Sequence, residues 1–428
     1  VSGDGGRTWL PADPVPKLPE GVDKCYAPEV AFDRQGTLYF LFAGLKGKGN
    51  TPVGEFLVTS KKGGYSAPRR VLGPERYMVR MAVAPNTGDR GRIHLVWLQA
   101  TSTPPTGGLP APPNPIMTAY SDDGGGSFSR PVQVSDPNRL RVVAPALAVG
   151  PKGDVHVAYY DLGEDDRDYA GLEGPRWEGN WSLVISSSSD GGRSFGPGKE
   201  VEDKLVPPER VMLIYTMPPP SLAVSGSGRV YSAWHDARNR DWDVLLSPSD
   251  GRNGAWSKPR RLNDDPIHNG LNQYLPRLSV ATNGRVDAIF YDRRRDLQNI
   301  KTDVYYTSSS DGGQRFTRNL RVTSEPFDSP IGPRYPALIR SAKGLVEFGS
   351  RLGLMSHDGS ALAAWTDTRK SDLGSYQQDI LATEVNLGGG QGGRVPGWLP
   401  PALAGLGIAA TAGLFAARRA SRGSRRGE

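Results

Sequence analysis

The chain has 428 residues, with 54 glycines, 37 prolines, one cysteine and a formal net charge of +7. It is long enough to bury a large core, and its glycine and proline content marks a turn-rich chain. The lone Cys25 excludes an internal disulfide and reads as a small apolar residue. No basic stripe interleaved with aromatics stands out, so the positive charge gives no ground for a nucleic-acid partner.

Taken in chain order, one string recurs. It stands at 2–9 (SGDGGRTW), 121–128 (SDDGGGSF), 188–195 (SSDGGRSF) and 309–316 (SSDGGQRF). Worn copies lie at 60–67 (SKKGGYSA), where Lys62 replaces the aspartate, and at 247–256 (SPSDGRNGAW). The spacing is about sixty residues, and self-similarity at a fixed period is the mark of a repeat architecture. Asp-Gly and Gly-Gly tolerate positive φ, so each copy reads as a hairpin turn, and the closing Trp or Phe is placed to cover it.

The rest of each repeat agrees. An apolar run comes first: PEVAF at 28, VRMAV at 79, PALAV at 145, PSLAV at 220, PRLSV at 276 and PALI at 336. A glycine turn and a β-rich segment follow, as in GRIHLVW, GDVHVAYY and GRVDAIF. One repeat is therefore four strands, A to D, with the recurrent string joining C to D. Such units are propeller blades. Six blades are expected in this all-β fold. Because Val1 opens on a turn string without its preceding strand, upstream propeller sequence is expected too, and seven blades stay open. Residues 7–16 are expected to supply the outer strand of the last blade.

The C-terminal end differs in kind. A Gly-rich linker at 388–397 precedes twenty uncharged residues at 398–417, enough for about 30 Å of helix, the thickness of a bilayer core. The tail at 418–428 holds five arginines and one glutamate, +4 of the net +7, which leaves +3 for the rest. This reads as a transmembrane helix with a cytoplasmic tail: a single-pass protein of the cell membrane, its propeller extracytoplasmic and preceded by a signal peptide.

The pattern S-x-D-x-G-x-[ST]-[FW] is the Asp-box (BNR repeat), and over roughly 1–387 the chain resembles the sialidase (neuraminidase) superfamily of Asp-box β-propellers. The motif is specific for the fold and weakly so for activity. In a propeller the C–D turns lie opposite the pocket face, so the boxes read as scaffold, and chemistry belongs where blades differ. Sialidases use a tyrosine nucleophile activated by a glutamate, with arginines that grip a carboxylate. The resemblance thus implies Tyr274 or Tyr335 as nucleophile, Glu29 as its partner, and Arg80, Arg277 and Arg334 as the clamp, all near strand-A starts. The family's F/Y-R-I-P motif does not occur here, and PRYPAL at 333–338 is a loose echo.

Strand B ends in WHDAR, FYDRR and WTDTR, placing Arg238, Arg294 and Arg369 alike in three blades; these read as bridges to Asp residues that close the B–C loops. The long B–C loop at 161–181 offers Trp177 and Trp181 for stacking on sugar rings, and its acids Asp165, Asp166 and Asp168 lack calcium-loop spacing. No cofactor or metal is expected. Two functions follow for a monomeric propeller: recognition of a glycan or surface protein through the pocket-face loops, or an exo-acting hydrolase releasing terminal acidic sugars.

Overall fold

The structure is a computed structural model that describes Thr8 and residues 17–48, 51–61, 64–84, 91–100, 112–165, 177–207, 219–250, 254–328, 352–370 and 379–387. The chain is an all-β, six-bladed propeller, each blade a separate antiparallel sheet taken up in chain order. Blade 1 holds β1 (Lys24–Phe32), β2 (Leu38–Lys46), β3 (Thr51–Lys61), β4 (Gly64–Tyr65) and β5 (Arg69–Leu72). Blade 2 holds β6 (Arg76–Ala84), β7 (Arg92–Gln99), β8 (Ile116–Ser121) and β9 (Val132–Gln133). Blade 3 comprises β10 (Val142–Val149), β11 (Val155–Asp161), β12 (Trp181–Ser188) and β13 (Lys199–Leu205). Blade 4 comprises β14 (Ser221–Val224), β15 (Val230–Asp236), β16 (Asp243–Pro248) and β17 (Arg260–Arg261). In blade 5 are β18 (Gln273–Val280), β19 (Val286–Asp292), β20 (Lys301–Ser309), β21 (Leu320–Arg321) and β22 (Phe327–Asp328). In blade 6 are β23 (Gly353–Ser356), β24 (Ser360–Asp367) and β25 (Asp379–Asn386).

The outer strands β9, β17 and β21 are two residues long. Short edges present little unpaired backbone for edge-to-edge association. Residues 7 and 9–16, expected as the outer strand of blade 6, lie outside the described residues. The cores form where blades pack face to face. Tyr39, Leu57, Val79 and Ile93 join blades 1 and 2. Trp242, Tyr274, Tyr291, Phe327 and Trp365 run from blade 4 to blade 6.

The recurrent string closes the C–D turn as its residue types require. Ser188 donates to Asp190 Oδ1 at 2.7 Å and accepts from the Gly192 amide at 2.8 Å. The Asp190 carboxylate also accepts the amides of Arg193 (2.9 Å) and Ser194 (3.0 Å) and the Ser194 hydroxyl (2.5 Å). Asp123 and Asp311 hold their turns in the same way. These donors stabilise the charged form and hold all three carboxyls below the usual range, Asp123 at about 2. Gly192 has φ of 84° and a Cβ there would meet the His94 ring of blade 2 at 3.2 Å, so glycine is needed on two counts.

A feature not read from the sequence recurs in strand A of blades 1, 2, 3 and 5. The register slips between Tyr26 and Glu29, Tyr77 and Arg80, Val143 and Ala146, and Tyr274 and Arg277. Inside each slip one non-glycine residue takes positive φ: Ala27 (51°), Met78 (54°), Ala144 (54°) and Leu275 (55°). This is a β-bulge, which re-aims the side chains on either side of it.

The C-terminal expectation is corrected. No helix is present among the described residues, so none there is long and apolar enough to cross a membrane, and the fold is described by strands alone. The transmembrane helix, membrane partner and single-pass localisation are therefore withdrawn. The linker at 388–397, the segment at 398–417 and the tail at 418–428 lie outside the described residues.

Candidate functional site

Antiparallel alternation puts the A–B and C–D turns of a blade at one end and its B–C and D–A loops at the other. The strand-A bulges sit near the second end. There Arg80 Nη1 meets Glu29 Oε1 at 3.0 Å, both half-buried, and Arg80 Nε donates to the Pro145 carbonyl at 3.3 Å. One arginine thus links the inner strands of blades 1, 2 and 3. Glu29 also accepts the Met81 amide at 3.4 Å. Arg277 occupies the equivalent position in blade 5 and is exposed.

Tyr274 is fully buried. Its hydroxyl shares a 2.7 Å hydrogen bond with Thr302 Oγ1, its ring packs on Trp242 and Tyr291, and the Arg293 guanidinium lies 5.1 Å over it. Tyr274 and Glu29 stand in blades 5 and 1, and each is engaged by its own neighbours. Tyr335 and Arg334 lie outside the described residues. Trp181 is buried against Tyr160 and donates its indole N–H to Asp165 Oδ2 at 3.0 Å, whereas Trp177 is half-buried against the same cluster. Asp166 and Asp168 lie outside the described residues. Among the described residues no group of His, Cys, Asp or Glu is arranged to hold a metal ion.

The three repeated arginines each grip the aspartate two residues before them. Arg238 Nε lies 2.9 Å from Asp236, Arg294 Nε 2.8 Å from Asp292, and Arg369 Nε 2.9 Å from Asp367. Their outer nitrogens reach the preceding blade: Glu202 for Arg238, Asp264 for Arg294, and Ser324 for Arg369. The expected Arg-to-Asp ties thus form, with the aspartate that ends each strand B. Asp243 and Asp303, at the starts of strand C, pair with Arg261 and Arg321 of the outer strands. A side chain two residues away along the strand end already points to the same side, which makes the local aspartate the nearer partner. Burial pushes the Asp292 carboxyl up to about 6, against the Arg294 guanidinium beside it.

Between blades 4 and 5 lies a polar network the sequence did not announce. Asn263 Nδ2 donates to Asp243 (2.6 Å), Asp265 (2.7 Å) and Gln273 (2.7 Å), and Gln273 Nε2 reaches Asp265 and the Leu271 carbonyl. Burial, with Asp243 and Asp265 nearby, raises the Asp241 carboxyl, and one of its oxygens has no partner among the described residues. The D–A loop LNDDPIHNGLNQ supplies most of this network, and its density of amides was the one signal available.

No family model matches the chain, and no curated protein matches it. Several solved structures are similar to it. A Hadza microbial sialidase is 14% identical, over 72% of this chain and 60% of that one, with a TM-score of 0.46. The leech intramolecular trans-sialidase is 11% identical, over 86% and 68%, with a TM-score of 0.46. The α-L-arabinofuranosidase of Fusarium graminearum is 12% identical, over 85% and 93%, with a TM-score of 0.45. The similarity to sialidase and glycosidase propellers is weak. This chain spans 60% of the length of that microbial sialidase. No activity is carried across at this level.

Proposed function

We propose that this is an Asp-box propeller that recognises a glycan or protein ligand through its B–C and D–A loop face, with Arg277 at the ligand. The observation that carries the reading is how the charged strand-A positions are used. Arg277 stands exposed at the strand-A position that Arg80 occupies half-buried in blade 2. An arginine there can bind a carboxylate with charge-assisted bonds. The alternative reading, an exo-acting glycoside hydrolase of the sialidase type, rests on the Asp-box resemblance alone.

The test is a glycan array run beside hydrolysis of a fluorogenic sialoside. Acidic-sugar binding is expected to weaken about tenfold in Arg277→Ala with the fold intact. Arg369→Ala is expected to cost stability and leave affinity nearly unchanged. Sialoside turnover abolished by Tyr335→Phe would replace the binding reading with the hydrolase; an array in which Arg369→Ala alone loses binding would move the clamp to the repeated arginines.

A further inference from the structure

Three loops of blades 4 and 5 are fused into one platform on the ligand-facing end: 237–242, 262–272 and 293–300. His268 Nδ1 lies 2.7 Å from the Asn239 carbonyl, and the Gly270 amide donates to Asp241 at 2.8 Å. Asn272 is the hub. It accepts the Trp242 amide at 3.1 Å, donates its own amide to Asn299 at 3.0 Å, and accepts the Arg293 amide on its carbonyl at 3.0 Å. Among the described residues seven non-glycine positions have φ in the left-handed region. Four are the strand-A bulges; the other three, Arg240 (68°), His268 (60°) and Asn299 (56°), stand one on each of these loops. Strain of this kind persists where the surroundings over-determine it, and it gathers at ligand clamps.

Asp236, Asp241, Asp265 and Asp292 are buried. Asp264 is held by Arg294 and the Asn319 amide, and Asp296 accepts the amides of Gln298, Ile300 and Lys301. Arg293 is buried and Arg294 is tied to Asp264 and Asp292, whereas three further cations face water. Arg240 and Lys301 are exposed, and Arg295 is 58% exposed, with Asp303 at 4.0 Å as its ion-pair partner. Among them stand two apolar side chains, Ile267 at 54% exposure and Leu297 at 91%. No exposed aromatic accompanies them among the described residues of these loops, since Trp242 and Tyr274 are buried.

Resting on the loop-face reading above, we infer that this platform docks an acidic protein segment carrying an apolar side chain, with Leu297 and Ile267 as the apolar contact and Arg240 and Arg295 as the charge contact. A positive rim selects a negative partner and speeds its approach. The occupant is a peptide rather than a sugar because sugar rings are gripped by exposed aromatic faces, and this surface offers aliphatic tips. The hydrogen-bonded loops present those tips in fixed positions, which lowers the ordering cost of binding.

The full chain is applied to arrays of short synthetic peptides of four compositions: acidic with Leu and Phe, acidic with Ser only, basic with Leu and Phe, and uncharged. Binding to the acidic-apolar set is expected, weakening with added salt. Leu297→Ser and Arg240→Glu are each expected to reduce affinity for the best acidic-apolar peptide about tenfold, with thermal midpoints unchanged because both sites are exposed. Equal binding to the acidic set lacking apolar residues, or no effect of Leu297→Ser, overturns the inference. Peptide binding weakened by Arg277→Ala and by neither platform variant overturns it while leaving loop-face recognition standing. A chain that binds neither peptides nor glycans overturns both.

Discussion

His94 gives the sharpest test of how the blades interlock. It sits on β7 of blade 2, fully buried, with its ring under Gly192 of the blade 3 turn. Arg92 and Asp122 are the charges that face it, the Tyr120 ring lies 6.4 Å away with Arg193 beyond, and neither ring nitrogen has a hydrogen-bond partner among the described residues. Burial, reinforced by Arg92 and opposed by Asp122, lowers its pKa from 6.5 to about 4. The folded pKa lies below the unfolded one, so the unfolded chain takes up the proton first. Stability is therefore full above about pH 6.5 and is lost as pH falls towards about 4. Between about pH 7 and about pH 5 this one group is expected to remove about 2 kcal/mol. His94→Leu deletes the titration while keeping an apolar filler of similar size. Urea unfolding followed by tryptophan fluorescence at both pH values should show the acid-dependent loss shrinking by about 2 kcal/mol in the variant. Comparing each protein with itself cancels any packing cost of leucine. An unchanged pH dependence, within about 0.5 kcal/mol, would show that the imidazole is not held neutral and would refute the reasoning.

Three further outcomes are expected. His235, buried with no hydrogen-bond partner among the described residues and lowered to about 3, should behave in the same sense, so His235→Leu should also flatten the acid limb. Asp190→Ala removes the acceptor for two amides and two hydroxyls in the blade 3 turn and should cost about 1–2 kcal/mol in unfolding while leaving ligand affinity unchanged; lost binding at full stability would put the turn string at the site. Glu29→Gln and Arg80→Met should each destabilise, and the double variant should cost about 1 kcal/mol less than their sum, since each single change strands the other half of a half-buried pair; strict additivity would show the pair to be uncoupled.

Read alone, the sequence determined the repeat, the four-strand blade and the chemistry of the C–D turn, and it favoured six blades while leaving seven open. These rest on neighbours in the chain. Alternation sets a strand's two faces, and Ser188, Asp190 and Gly192 make their bonds within four residues of one another. It also placed Arg238, Arg294 and Arg369 as structural ties to aspartates. What only the tertiary structure decided lies one blade away. Arg80 meets Glu29 across 51 positions, Asp264 meets Asn319 across 55, and His94 slides under Gly192 of the following blade. A pattern shows that a tryptophan or tyrosine is apolar, but the packing of two sheets decides that Trp181 and Tyr274 are sealed in while Leu297 is left in water. The bulges escaped the sequence for the same reason. Nothing in Ala27, Met78, Ala144 or Leu275 favours positive φ, and the backbone turns there because the surrounding inner strands hold it.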